Sequence, residues 1–307
     1  MQTALVITYR CNATCGHCVT SCGPHRTEAL AKHDIIRLMN DAADIKDGEP
    51  LRFSITGGEP FLDFDLLRDV VAHAGRLRAW ISVTTNGYWA RSDDAAASKL
   101  AALHDAGLCG VAVSVSRFHQ EFVPVSRVRR VLDVAARLGL STELKGAVTR
   151  VDLEPGNALD MWKEQLDADT VEIFPVFPCI REGASLPESE FYRDAGLPSE
   201  QCPGEIVCIE ATGNAVSCCG PGSATRFLSI GNVHRESLAT INSRFRSAGK
   251  QRILREKGPI AFAKGAIAAG LGHLLRGDYA GPCDLCMHVG SDPQLRRVAE
   301  DMSSAVE

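Results

Sequence analysis

Cys11-Asn12-Ala13-Thr14-Cys15-Gly16-His17-Cys18 comes just after the apolar run Ala4-Leu5-Val6-Ile7-Thr8 and puts three thiols on one tight loop in a C-x3-C-x2-C spacing. Soft thiolates at this density hold zinc or an iron–sulfur cluster. A structural zinc site closes with four ligands, and here Cys22 or His17 would supply the fourth. A cubane [4Fe–4S] cluster on three thiolates instead keeps one iron open, where a substrate or cofactor can bind. The octapeptide alone leaves both readings standing.

Working outward, Leu51-Arg52-Phe53-Ser54-Ile55-Thr56 reads as a buried strand and ends in Gly57-Gly58-Glu59-Pro60. Two glycines let a backbone come close to a ligand, and the carboxylate after them can take an ammonium group. Strand-like runs recur near residues 4–8, 51–56, 80–85, 109–116, 141–148 and 170–174. Helical periodicity fills the gaps, at 28–45, 63–77, 93–106, 124–138 and 156–166. Ser92 and Asp93 cap one helix start and Gly107 follows its end.

Alternating strands and helices predict an α/β fold with a parallel sheet and right-handed crossovers. Six strands fall short of an eight-fold barrel, and spacing alone does not separate a partial barrel from an open doubly wound sheet. Ligands sit at the C-terminal strand ends in either case. Those ends carry the cysteine loop, then Gly58 and Glu59, then Thr85 and Asn86, then Ser114. The fifth strand carries Glu143 and Lys145, and the sixth Glu172. The segment Arg117-Phe118-His119-Gln120-Glu121-Phe122 is placed to read a substrate, to act as a lid, or to be a plain loop.

Bulk properties narrow the classes. A formal net charge of −5 over 307 residues gives no electrostatic reason to expect nucleic acid or an anionic membrane as partner. The most apolar later run, Pro259 to Leu275, is broken by Lys264, Gly265, Gly270, Gly272 and His273 and reads as a helix pair rather than a membrane span. No secretion signal precedes the first strand, and no separate leader-peptide recognition domain is expected there. Twelve cysteines in clusters then point to metal binding in a reducing cytoplasm.

The strand–helix pattern stops near residue 175, and Pro178, Pro187 and Pro198 mark a linker over 181–201. A second cysteine group follows: Cys202, Cys208, a hairpin-like turn at Gly213-Asn214, Cys218-Cys219, and Cys283-Asp284-Leu285-Cys286. Four thiolates from two separated pairs suit zinc as well as a cluster.

The cysteine loop after the first strand, with Gly57-Gly58-Glu59-Pro60 after the second, resembles the radical S-adenosylmethionine (SAM) enzymes. The resemblance implies a partial (β/α)6 barrel over residues 1–180 and a [4Fe–4S] cluster on Cys11, Cys15 and Cys18. It also implies that the open iron chelates SAM, whose amino group the strand end from Gly57 to Pro60 holds. His17 would lie near the adenine, and Thr85, Asn86, Ser114 and Lys145 would complete the cofactor site. Cys202, Gly213, Cys218, Ile230-Gly231-Asn232-Val233 and the closing Cys-x2-Cys look like the auxiliary-cluster extension of peptide-modifying members, the SPASM or shorter twitch domain. That implies a cysteine-rich domain over 202–290 with a helical insert, a C-terminal helix or tail over 291–307, and one auxiliary [4Fe–4S] cluster. Cys202, Cys218, Cys283 and Cys286 would hold it, and Cys208 could displace one of them.

A narrower resemblance, to the radical SAM peptide epimerases, rests on Cys18-Val19-Thr20-Ser21-Cys22-Gly23-Pro24, Phe61-Leu62-Asp63, Asn86-Gly87-Tyr88-Trp89, Phe118-His119-Gln120-Glu121-Phe122-Val123 and Cys202-Pro203-Gly204. It implies a ribosomally synthesised peptide as substrate, Cys219 as hydrogen-atom donor, and an electron donor such as a flavodoxin or ferredoxin. Peptide cross-linking, dehydrogenation of a peptide or small molecule, and a metal-binding scaffold without turnover are the competing expectations.

Overall fold

Period-two alternation sorts the strand side chains onto two faces, and that sorting organises the first half of the molecule. The computed structural model describes all residues except Met1, Asp47, Cys179, Ile180, 182–185, 203–205, Cys219 and Glu307. The chain divides into two compact units, the first being Met1–Val176, Ile180–Ser185 and Glu210–Thr212.

In the first unit helices alternate with strands: β1 (Gln2–Val6), α1 (Lys32–Asp44), β2 (Arg52–Thr56), α2 (Phe64–Arg76), β3 (Trp80–Thr85) and α3 (Asp93–Asp105). Then come β4 (Gly110–Val115), the single turn α4 (Arg117–Gln120), α5 (Val125–Arg137), β5 (Ser141–Val148), α6 (Ala158–Gln165) and β6 (Thr170–Pro175). Neighbouring strands pair in parallel from β1 to β6 in sequence order. A doubly wound sheet reverses its order at a switch point. This one winds in a single direction, as a partial barrel does.

One face of the sheet is apolar. Phe53 and Ile55, Ile81 and Val83, and Val111 and Val113 are buried on alternate positions. The amphipathic helices cover them; α1 contributes Ile35, Leu38 and Met39, all buried, at roughly 1.5–3 kcal/mol for each such side chain. The opposite face carries small and polar side chains. Ser54 is paired with Ser82, Thr84 with Ala112, and Ser114 with Lys145, which in turn is paired with Glu172. This polar face runs up to the strand ends that bear the motifs.

Helix starts follow their caps. Asp63 accepts from the Leu66 N–H ahead of α2 and Ser92 from the Ala95 N–H ahead of α3. Gly107 follows α3 at a φ of 110°. The first helix begins at Lys32 rather than at residue 28, because residues 28–30 pair back on the cysteine loop's entry. Tyr9 N–H donates to the Glu28 carbonyl and Leu30 N–H to that of Ile7.

The second unit contains β7 (Asp194–Ala195), β8 (Ile206–Ile209), β9 (Asn214–Val216) and β10 (Ser229–Asn232). After them come α7 (Leu238–Ser247), α8 (Gly249–Lys257), α9 (Ile260–Ala268), β11 (Asp278–Tyr279), α10 (Pro282–Ser291) and α11 (Pro293–Ser304). β8, β9 and β10 form an antiparallel meander, with Gly213 at a φ of 80° before β9. Phe227, Phe262, Tyr279 and Leu285 belong to a core that the C-terminal helices α8 to α11 enclose. The expected helix pair over Pro259 to Leu275 is one helix, α9, followed by a 3-10 turn at Gly272–Leu274. Gly270, at a φ of 77°, separates them. No helix among the described residues is long and apolar enough to cross a membrane.

Candidate active site

The loop after β1 is held closed by its own backbone. Cys11 N–H donates to the Gly23 carbonyl (3.1 Å) and Gly23 N–H to that of Tyr9 (3.2 Å). Cys18 N–H reaches the Cys15 carbonyl at 3.1 Å. Cys11, Cys15, Cys18 and Cys22 all line one cavity of about 150 Å³, together with Gly57, Gly58, Thr85, Asn86, Ser114, His17 and His119. These residues come from the ends of β1 to β4 and from α4, spread from Cys11 to His119 in the chain.

Burial dominates the chemistry of the thiols. It pushes Cys11 up to about 11 and Cys15 to about 12. Cys18 goes the other way, to about 5, because the Cys22 thiol and Thr20 hydroxyl hydrogen-bond to its sulfur. Two buried thiols therefore keep their protons until a cation compensates them, so metal binding here releases protons.

The two glycines after β2 serve the loop itself. Gly58 N–H donates to the Thr8 carbonyl (2.7 Å) and Glu59 N–H to that of Arg10 (2.9 Å). A Cβ on Gly57 would lie 2.5 Å from the Thr8 oxygen, and one on Gly58 would overlap the Arg10 carbonyl. The glycines thus let strand end and cysteine loop touch backbone to backbone. Gly58→Ala meets atoms that have no freedom to move aside, and should cost about 3 kcal/mol in urea unfolding of the apoprotein, together with a loss of iron uptake. Gly277→Ala, where a Cβ meets nothing within 4 Å, serves as control.

Glu59 departs from the expectation that its carboxylate faces a ligand ammonium. It is wholly buried and accepts from Phe61 N–H (3.0 Å), Asn86 N–H (2.8 Å) and the Thr85 hydroxyl (2.9 and 3.0 Å). Thr85 Oγ1 in turn accepts from Gly87 N–H and Trp89 Nε1. Asn86 Nδ2 donates to Asn12 Oδ1 at 3.0 Å and approaches Cys11 Sγ at 3.8 Å. The side-chain polar groups of Thr85 and Asn86 are accordingly engaged in tying β3 to Glu59 and to the cysteine loop. Pro60 is buried and opens the 3-10 turn that Glu59 caps. Phe61 and Trp89 stack at 4.1 Å beside it.

His17 stacks on Phe118 (4.9 Å) and meets His119 edge-on (4.8 Å). Burial lowers His17 to about 3 and His119 to about 4, so both rings are neutral. His17 Nδ1 is buried with no hydrogen-bond partner among the described residues. Lys145 is not part of the cavity lining; its ammonium pairs with Glu143 (3.4 Å) and Glu172 (3.1 Å) on the same sheet face.

Residues 5–148 match the family model of the Radical SAM superfamily. This stretch, just under half of the chain, is similar to that superfamily. Over a longer span the chain is 23% identical across 253 residues to YydG of Bacillus subtilis (strain 168), a protein assigned by its description to peptide biosynthesis, covering 81% of this chain and 78% of that one. It is 38% identical over 136 residues to the GTP 3',8-cyclase of Mycobacterium marinum (strain ATCC BAA-535 / M), covering 42% of this chain and 35% of the cyclase. In fold it is similar to native anSMEcpe with bound AdoMet and a Cp18Cys peptide, with a TM-score of 0.58 at 12% identity over 98% of this chain and 100% of that one.

The radical SAM superfamily implies a [4Fe–4S] cluster with SAM, and the residues present fit both. Three soft sulfur donors share the cavity with a fourth thiol, two glycines, the Ser114 position and the unpartnered His17 nitrogen. Among the described residues no three cysteine, histidine or carboxylate side chains converge as a single-ion site would require. In the second unit Cys286 is buried, and its thiol is raised well above the usual value, first by that burial and then by Cys218, Cys283 and Cys202 close by. Cys202 and Cys218 pack against the buried core cluster that contains Cys286. Cys218 Sγ accepts from the Gly220 N–H at 3.3 Å. Cys208 lies in β8 opposite Val216. Cys219 lies outside the described residues.

The residues missed in sequence are Arg181, Trp89 and His119 as members of the site. Trp89 stood in a quoted motif without a role, and His119 stood in the Arg117–Phe122 segment, read as a substrate contact, a lid or a plain loop. Arg181 stood in none, at the first position of the expected linker.

Proposed function

We propose that this chain is a radical SAM peptide-modifying enzyme, and that it epimerises L- to D-residues in a ribosomally synthesised peptide. The observation that carries the reading is the cavity in which the three-thiol loop, the Gly57-Gly58 strand end and the β3 and β4 ends meet. The likeness along most of the chain to YydG, and in fold to a peptide-bound radical SAM structure, supports a peptide as substrate.

Cys11, Cys15 and Cys18 would hold the first cluster, and Cys202, Cys218, Cys283 and Cys286 a second, auxiliary one. Bound together and given one electron by the external donor, the first cluster and SAM would supply methionine and a 5′-deoxyadenosyl radical, the species that removes a hydrogen atom from an α-carbon. The neutral His17 ring, stacked on Phe118, would offer a flat surface to a planar ring at the cavity wall, and Gly57 and Gly58 let the strand end close on the cysteine loop. Cys219 would give its S–H hydrogen to the opposite face of the planar α-carbon, forming a C–H bond and leaving a sulfur radical. One electron from a flavodoxin- or ferredoxin-type donor and one proton from solvent restore the thiol. Residues 202–290 would be the SPASM or twitch-like domain.

The test is turnover in D2O with SAM, a reductant and a peptide encoded beside this gene, read by mass spectrometry and chiral amino-acid analysis. One deuterium gained on a D-residue is expected. Cys219→Ala should still make 5′-deoxyadenosine but almost no D-residue product; full epimerisation by that variant would sink its assignment. Loss of two hydrogens from the peptide would instead indicate cross-linking or dehydrogenation.

A further inference from the structure

Arg181 reaches the three-thiol loop from 159 to 166 residues further along the chain. Its backbone N–H donates to the Gly16 carbonyl at 3.0 Å. Its Nε donates to the Cys15 carbonyl (3.1 Å), Nη1 to that of Ser21 (3.4 Å), and Nη2 to that of Cys22. One guanidinium therefore ties the middle of the loop to its exit, and it also lines the cavity.

A second arginine makes the contrast. Arg26 donates to the carbonyls of Thr20 and Ser21, but its charge is matched by Glu28 at 2.8 Å. The acceptors of the Arg181 side chain are backbone carbonyls only, among the described residues. Its positive charge is left facing the cavity that Cys11, Cys15 and Cys18 line.

We propose that Arg181 is a positioning residue for the cluster on Cys11, Cys15 and Cys18, which fixes the loop through its carbonyls and raises the cluster's reduction potential through its charge. The inference rests on the reading that such a cluster forms here. Reduction by an external one-electron donor adds one negative charge to the cluster. A fixed cation in a partly buried loop then favours the reduced form over the oxidised one. The fork geometry explains why arginine suits the place: lysine carries the charge but has no planar set of donors to span three carbonyls.

The experiment compares the reconstituted full chain with Arg181→Gln and Arg181→Lys. EPR-monitored redox titration in the absence of SAM reads the midpoint potential, and iron per chain is followed under chelator challenge. The relevant signal is the one that changes shape when SAM is added. Arg181→Gln should have a more negative midpoint, whereas Arg181→Lys should stay near the wild-type value and lose iron faster. An unchanged midpoint in Arg181→Gln, or the same drop in both variants, would overturn the charge role. If Arg181→Gln assembles no cluster, full iron in Arg181→Lys supports the proposal, and equal loss in both overturns it. A wild-type chain without iron–sulfur absorbance would instead refute the underlying reading.

Discussion

Cys15→Ala protein is expected to stay folded, to lose about four irons per chain, and to cleave SAM no faster than the background reaction. The side chain is buried at the centre of the loop, so its removal leaves a small cavity costing about 1–2 kcal/mol in the apoprotein. Loop closure survives, because the bonds from Cys11 to Gly23 and from Gly23 to Tyr9 do not use the sulfur. The loss is therefore chemical rather than structural. With two sulfurs left, a four-iron core has too few protein donors to be held. Cys22→Ala is the informative partner. Cys22 lies in the same cavity, with its N–H 3.4 Å from Cys18 Sγ. A four-thiolate zinc site would lose its metal on this substitution, while a cluster on Cys11, Cys15 and Cys18 keeps its iron. Iron and zinc per chain, with the visible absorbance of each variant, decide between them.

Much of this site was legible because its parts sit at strand ends. Alternation and helix caps located the six parallel strands to within a few residues, and chemistry in such a sheet gathers where strands finish. The roles within the site were less legible. A carboxylate after two glycines reads as a ligand contact, yet the donors that turn Glu59 inward come from Thr85 and Asn86, 26 and 27 residues later. Nothing local announces them. The glycines read as room for a ligand, whereas the nearest obstacles to a Cβ are the backbones of Thr8 and Arg10. Lys145 shared the polar sheet face with the site, but two flanking carboxylates hold it away from the cavity lining. Arg181 is the extreme case: an arginine in a proline-rich stretch has no pattern, and only the folded chain brings it to the cysteines.

Glu59→Ala should be the most destabilising single change in the first unit that touches no thiol. It strands the Phe61 and Asn86 N–H groups and the Thr85 hydroxyl in a site that is closed to water. Orphaned buried donors cost about 1–3 kcal/mol each, and partial relaxation brings the expected total to about 3–5 kcal/mol in urea unfolding. The loss spreads to the cysteine loop, since Asn86 also holds Asn12. Glu59→Gln separates charge from shape: one amide oxygen still accepts, but the amide nitrogen is forced against a donor. The two variants also differ in their pH response. Burial raises the Glu59 carboxyl from 4.5 to about 7, against the hydrogen bonds that favour its ionised form. Folding therefore favours the protonated group, and its contribution is complete below about 4.5 and is lost as the pH rises to about 7. Wild-type stability should fall across that window relative to Glu59→Gln, which has no proton to lose there. A parallel pair of stability–pH curves would mean that the hydrogen bonds, rather than the burial, set the charge state of Glu59.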